Sequence, residues 1–320
     1  MICFVTTASH ADTFKHVPEF AGVPRFRLYS YHQLLRARSV PRATWVFTDF
    51  DRLGFWELEL AARIHRKMRL DGMRVLNDPA RLHQRFGLLR RLHQAGYNRF
   101  DVCDIQAGEW PRRYPVFLRA QSAHRGVFSD LLPDQAALAQ EIERNLARGI
   151  PRRELIAVEY CAEPARDGLF RKLAVFRVGE VMVPAICVHQ SHWMAKYGER
   201  GVAGADLYED EYRIMEENPH AGDVRPAFDL GEIEYGRADF GLVGGRPQVY
   251  EINTNPMIAV IRAHPFAIRL ETQKLFERRF AEALHTIDTP DDGRRLKLKG
   301  TLFRKQRRRD RWMTKERWVI

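Results

Sequence analysis

The chain has 320 residues, 45% of them hydrophobic, enough to bury a sizeable core spread over two or three compact units rather than one. No apolar run approaches the roughly 18 residues that cross a bilayer, and the opening Ile2-Cys3-Phe4-Val5 is too short for the core of a secretion signal, so a cytoplasmic protein is expected. The net charge of +11 is local: residues 294–320 hold 12 Lys or Arg against 2 acids, leaving about +1 for the rest. A near-neutral body argues against a main surface that tracks a phosphate backbone.

In chain order, 2–5 and 44–47 read as short strands, and 55–70 places Phe55, Leu58, Ala61, Ala62 and Ile64 at helical spacing. Val75-Leu76 reads as a third strand. Asp78 is expected to cap a helix that starts at Pro79 and runs to about 95, and Asp51 to cap the helix at 55. This alternation predicts a small open α/β unit. From about 101 the texture changes. Residues 115–120 read as a strand ending in Arg119, then a polar loop through His124-Arg125-Gly126, then a helix over 133–148 with Asp134 at its positive end. Three strands follow at 155–161, 170–178 and 181–189, then an acidic helix over 206–217, a Pro- and Gly-containing segment, a hairpin at 235–243 and 247–252, and a last helix from His264-Pro265 to about 285. Pro290-Asp291-Asp292-Gly293 marks a break before the tail. The second half is therefore α+β with antiparallel pairs.

The hairpin carries the chemistry. With a three-residue loop at Gly244-Gly245-Arg246, Val243 faces Pro247, Asp239 faces Glu251 and Arg237 faces Asn253, so all four polar groups share one sheet face. A two-residue loop would pair Asp239 with Tyr250 and scatter them. Two carboxylates and an amide oxygen converging beside an arginine call for a cation, and magnesium prefers such hard oxygen donors plus substrate phosphates. The plain alternative is a solvated amphipathic hairpin with an Arg237–Asp239 ion pair.

Arg237-Ala238-Asp239, a hairpin and Glu251-Ile252-Asn253-Thr254-Asn255-Pro256 together resemble the magnesium-binding end of the ATP-grasp superfamily, the fold of carboxylate–amine ligases. The resemblance covers roughly residues 75 to 260. It implies an ATP-grasp fold behind an N-terminal open α/β (pre-ATP-grasp) domain, with Asp239, Glu251 and Asn253 as magnesium ligands, Arg237 near the transferred phosphate and Asn255 at the edge of the acceptor site. Pro115-Val116-Phe117-Leu118-Arg119 is similar to the strand that ends in a phosphate-binding lysine, and His124-Arg125-Gly126 to the flexible loop after it, which makes Arg119 and Arg125 phosphate groups. Val158-Glu159-Tyr160-Cys161 is similar to the hinge that frames adenine, with Glu159 and Cys161 on the nucleotide and Glu163 at the ribose. Lys172 stands where a basic group faces the phosphates, and Arg85 where a second lysine is usual. Arginine at 119 and 85 departs from the pattern, in a chain with 9 lysines and 43 arginines. Arginine still binds phosphate bidentately.

The implied boundaries are an N-terminal α/β domain over 1–100, a small subdomain over 101–165, a large subdomain over 166–288 and a basic tail over 289–320. The implied cofactors are ATP and Mg2+, and the implied reaction is amide formation through an acyl-phosphate on a small-molecule or peptide carboxylate. A small-molecule kinase using the same site, or a weakened nucleotide-binding module, stays open. His189, His192, Trp193, Lys196 and Tyr197 either line the acceptor pocket or form an ordinary loop anchored by Trp193. Asp49 and Asp51 end a strand of an open sheet, where ligands often bind. The four scattered cysteines form no C-x-x-C pair and read as reduced thiols. The tail, with Phe303, Trp312 and Trp318 among its arginines, could take a polyanion or an acidic partner. A homo-oligomer is left open.

Overall fold

A computed structural model describes residues 1–122 and 126–298. In chain order its elements are β1 (Ile2–Thr6), β2 (Phe26–Ser30), α1 (Tyr31–Arg36), β3 (Ser39–Pro41), β4 (Thr44–Phe47), α2 (Phe55–Leu70), β5 (Val75–Leu76), α3 (Arg85–Gln94), β6 (Val102–Asp104), β7 (Val116–Ala120), α4 (Gln135–Ala147), β8 (Leu155–Glu159), β9 (Phe170–Val178), β10 (Val181–Gln190), α5 (Ala205–Glu217), α6 (Ala221–Gly231), β11 (Tyr235–Val243), β12 (Arg246–Asn253), α7 (Ala267–Ile287) and β13 (Arg295–Lys297). The architecture is mixed α/β, with parallel and antiparallel sheets.

The N-terminal strands form a parallel sheet in the order β2-β1-β4-β5. Every residue of β1 and β4 is buried, because the sheet is covered on both sides. Cys3, Val5, Trp45 and Phe47 face Tyr31 and Leu34 of α1 and Ala61, Ile64 and Met68 of α2. Ile2, Phe4 and Val46 face the other way, toward Phe176 and Tyr235 of the large sheet and Phe276 and Phe280 of α7.

The large sheet is antiparallel, in the order β10-β9-β11-β12. Ala174 and Phe176 project toward α7 and the N-terminal sheet, while Leu173, Val175, Ala238 and Phe240 project toward Leu88 of α3 and Phe228 of α6. A smaller antiparallel sheet, β6-β8-β7, packs one face on Leu138 and Ile142 of α4 and turns Ile156 and Val158 toward α3 and α6.

Four sequence expectations are corrected here. The helix expected from Pro79 begins at Arg85. Asp78 instead closes a local turn, its Oδ1 accepting from Ala80 N at 2.9 Å, and His83 N donates to Gly231 O at 3.0 Å, which holds 80–84 against the end of α6. Asp51 does not cap α2, whose N-cap is Gly54, with Glu57 Oε2 accepting from Gly54 N at 3.0 Å. The Pro- and Gly-containing segment after 217 is largely helical, α6 enclosing Pro226; burial of Val224, Ala227 and Phe228 outweighs the broken ladder. The chain after the Gly293 break is paired at first, β13 lying antiparallel to β3. The remainder of the basic tail, from 299 on, lies outside the described residues.

Candidate nucleotide and metal site

The β11–β12 turn has two residues, not three: Val243 pairs with Arg246, and Gly244 and Gly245 take φ of 56° and 75°, the left-handed pair of a tight hairpin turn. That turn alone would set Asp239 against Tyr250. A bulge intervenes, since Phe240 pairs with Val249 and Asp239 with Glu251, so one extra residue, Tyr250, flips the register back. Asp239 thus faces Glu251 and Arg237 faces Asn253. Tyr250 lies across Gly241, where a Cβ would stand 2.4 Å from its hydroxyl oxygen, and that hydroxyl donates to Cys161 O at 3.1 Å.

Four cationic side chains from four elements surround the two carboxylates. Asp239, 2% exposed, accepts from Lys172 Nζ at 3.0 Å and from Arg237 Nε at 2.7 Å. Glu251 Oε2 meets Arg85 Nη2 and Arg119 Nη2, each at 2.9 Å. Burial and then the neighbouring Arg85 push the Arg119 guanidinium down to about 10, still charged at neutral pH. For Arg237, burial works against the charge, but Asp239 outweighs it and the guanidinium ends above its ordinary value. Asn253 Oδ1 accepts from Asn255 N at 2.8 Å. Among the described residues four cations meet the carboxylates of Asp239 and Glu251, and Asp51 lines the same cleft beside Arg85 and Glu251; such a cluster of cations suits a polyphosphate.

Among the described residues no group of three or more His, Cys, Asp or Glu converges. Asp239, Glu251 and Asn253 together offer two carboxylates and an amide oxygen on paired positions of β11 and β12. This all-oxygen set fits magnesium, which takes its remaining positions from phosphate and water. It does not fit zinc, which wants nitrogen or sulfur.

The hinge residues are engaged elsewhere. The buried Glu159 carboxylate accepts from Asp101 N at 3.0 Å, Arg113 N at 3.1 Å and Arg113 Nη2 at 2.7 Å, so its side chain ties the end of β8 to the segments that lead into β6 and β7. Exposed Glu163 accepts from Gly244 N at 2.9 Å and holds the hairpin tip. The Cys161 thiol is raised by burial. Trp193 packs on Phe117 at 4.9 Å and on Tyr160 at 5.7 Å between ring centroids, which places the 191–197 loop over the small sheet. His189 lies apart from it, buried against Tyr208. Lys196 holds its ammonium 4.9 Å from the Tyr197 ring centroid. Arg125 lies outside the described residues.

The N-terminal sheet reaches the same site. At the carboxyl ends of β1 and β4, Thr7 and Asp49 meet the motif: Asp49 N donates to Thr254 Oγ1 at 3.2 Å, Thr13 Oγ1 donates to Asn255 Oδ1 at 3.0 Å, and Asn255 Nδ2 donates to His10 O at 3.2 Å. Thr7, His10 and Thr13 carry no motif, and only the strand end before Asp49 pointed here.

No protein-family model matches the sequence, and no curated protein matches it. Solved structures do align. A D-alanine–D-alanine ligase from Bacillus anthracis complexed with ATP is 10% identical, with 88% of this chain and 99% of that chain covered and a TM-score of 0.47. A RimK domain ATP-grasp protein from Sphaerobacter thermophilus is 15% identical over 88% and 99%, at 0.46. The VanG D-Ala:D-Ser ligase from Enterococcus faecalis is 12% identical over 89% and 98%, at 0.46. The site rests on this chain's own residues.

Proposed function

We propose that this chain is an ATP-dependent carboxylate–amine ligase that holds MgATP between the β7 end and the β11–β12 hairpin. The carrying observation is the charge arrangement: among the described residues, Arg85, Arg119, Lys172 and Arg237 converge on Asp239 and Glu251. On this reading the four cations turn from the carboxylates to the triphosphate when nucleotide binds, and Asp239, Glu251 and Asn253 hold magnesium. The metal supplies charge neutralisation and alignment of the phosphate oxygens. Arg119, Lys172 and Arg237 position the γ-phosphate and offset charge during transfer, which is most of what phosphoryl transfer asks of a protein. A substrate carboxylate oxygen attacks the γ-phosphorus, ADP leaves, and an amine displaces phosphate from the acyl-phosphate to form an amide. Asn255 would edge the acceptor side. Arg125, Glu159, Cys161 and Glu163 remain proposed nucleotide contacts, Glu159 and Cys161 through the backbone they carry.

The test is ADP release from MgATP with each of the twenty amino acids and a set of small acids, with product analysis. Amide plus free phosphate supports the ligase, whereas phosphate retained on an acceptor overturns it in favour of a kinase. Asp239→Asn and Glu251→Gln are expected to weaken MgATP binding at least about 10-fold while folding is kept; unchanged affinity in both would sink the site assignment.

A further inference from the structure

We propose that His10 is the general base that takes the proton from the attacking amine, with its ring held by a relay through Thr7 to the buried Asp49. The inference rests on the ligase reading and adds a residue to it.

Three observations carry it. The first is position. Thr7 and Asp49 stand at the carboxyl ends of two adjacent parallel strands, where open α/β sheets bind their ligands. Hydrogen bonds from Asn255 Nδ2 to His10 O and from Asp49 N to Thr254 Oγ1 fix this corner to the residues that follow Asn253. The second is backbone conformation. Asp49 adopts φ 62° and ψ 36°, a left-handed geometry that costs free energy and persists where the surroundings over-determine it. The Asp49 carboxylate is fully enclosed and bound by Thr7 N at 3.2 Å, by the Thr7 hydroxyl and by Arg52.

The third is proton direction. A carboxylate only accepts, so the Thr7 hydroxyl gives its one hydrogen to Asp49. Thr7 Oγ1 can then meet His10 Nδ1, 3.2 Å away, only as acceptor. Ser9 Oγ, 2.8 Å from the same nitrogen, can accept that hydrogen or donate its own. In the tautomer in which Nδ1 donates to Thr7 Oγ1, Nε2 carries the lone pair, and this is the form the proposal uses. The His10 side chain is 37% exposed. Asp49 Oδ2 lies 4.0 Å from His10 Nδ1 and is ion-paired with Arg52.

The step balances. As the amine nitrogen bonds the acyl carbon and the carbon–oxygen bond to phosphate breaks, the surplus proton passes from nitrogen to His10 Nε2, and later to solvent. Phosphate leaves with its electron pair.

Hydroxylamine separates this role from the rest. Its nitrogen is already unprotonated near neutral pH and traps acyl-phosphates as hydroxamates with little need of a base. Wild type, His10→Gln and His10→Ala are compared with MgATP and the amino acid that wild type activates best, once with hydroxylamine and once with the preferred amino acid as amine. Expected is a fall of about 100-fold in the ratio of amide to hydroxamate formed in both variants, the low end of general-base contributions, with partial recovery of His10→Ala by added imidazole. An unchanged ratio overturns the role, and so does an equal loss of both products, which marks His10 as structural. Absence of ADP release and hydroxamate from wild type with every acid overturns the ligase reading itself.

Discussion

At the residue scale, the site tolerates little change beneath it. Gly236 sits on β11 under the motif, and a Cβ there would stand 2.8 Å from Asn253 O and 3.4 Å from Ile252 and Ile233. Backbone cannot rotate away as a side-chain tip can. Gly236→Ala is therefore expected to cost about 1–3 kcal/mol of stability by overpacking, and to weaken MgATP binding because Asn253 moves with its carbonyl; urea melts and nucleotide titration check both. A variant with wild-type stability and affinity would show that the hairpin gives way freely. The acidic pair and Asn253 were legible from residue type and spacing, and Arg85, Arg119, Lys172 and Arg237 from the resemblance. Thr7, His10 and Thr13 were not, because their meaning is set by distant partners, Asp49 and Asn255, 42 residues from Thr7 and 242 from Thr13.

At the element scale, the hairpin register was reached by a route the sequence concealed. A Gly-Gly turn and a one-residue bulge each shift the pairing by one, and together they cancel. Inserting one alanine after Tyr250 is expected to leave a hairpin but to set the inserted residue against Asp239 and Glu251 against Ala238, out of the site's face, so nucleotide affinity should fall below detection while secondary structure by circular dichroism stays near wild type. The edge strand β10 carries a second test. Its bulge leaves Cys187 N donating to Glu211 Oε1 at 2.5 Å, and Arg269 joins both, donating to Glu211 Oε2 at 2.7 Å and Cys187 O at 3.0 Å. Burial raises Glu211 to about 7 against the pull of Arg269. Burial, with Arg171 and Arg269, lowers His189 to about 4. Between 4.5 and 7 the folded Glu211 keeps a proton that the unfolded chain has lost, so its contribution to stability falls as pH rises. Between 6.5 and 4 the unfolded His189 gains a proton that the folded one refuses, so its contribution falls as pH drops. The slopes oppose, each up to about 1.4 kcal/mol per pH unit. Relative to wild type, Glu211→Gln should make stability rise more steeply from pH 4.5 to 6.5, and His189→Asn should make it fall. Parallel profiles in all three would show that neither group titrates there.

At the scale of the whole molecule, function requires that the N-terminal sheet and the hairpin be held in one geometry, and Asn77 is the residue that does it most directly. Fully buried and left-handed at φ 62°, it donates through Nδ2 to Phe47 O at 2.9 Å and Tyr235 O at 2.8 Å, and accepts through Oδ1 from Glu234 N at 2.8 Å and Tyr235 N at 2.9 Å. All four hydrogen bonds its amide can make are thus made. The sequence marked Asn77-Asp78-Pro79 as a helix entry, because local turn chemistry is legible there, whereas a tie to residues about 157 positions on leaves no local trace. Asn77→Ala would strand four buried backbone groups, each worth about 1–3 kcal/mol unless water enters, so a loss of at least about 3 kcal/mol is expected in urea unfolding. Asn77→Asp keeps the shape and both accepted bonds but turns a carboxylate oxygen toward the carbonyls of Phe47 and Tyr235; it should therefore lose stability as well, and increasingly so as pH rises and the buried acid ionises. In either variant the corner that brings Thr7, His10 and Asp49 onto Thr254 and Asn255 loosens before the four cations around Asp239 and Glu251, which lie on α3, β7, β9 and β11. Amide formation should then suffer more than MgATP binding. Equal losses in the two would mean that the N-terminal sheet supports the nucleotide site itself.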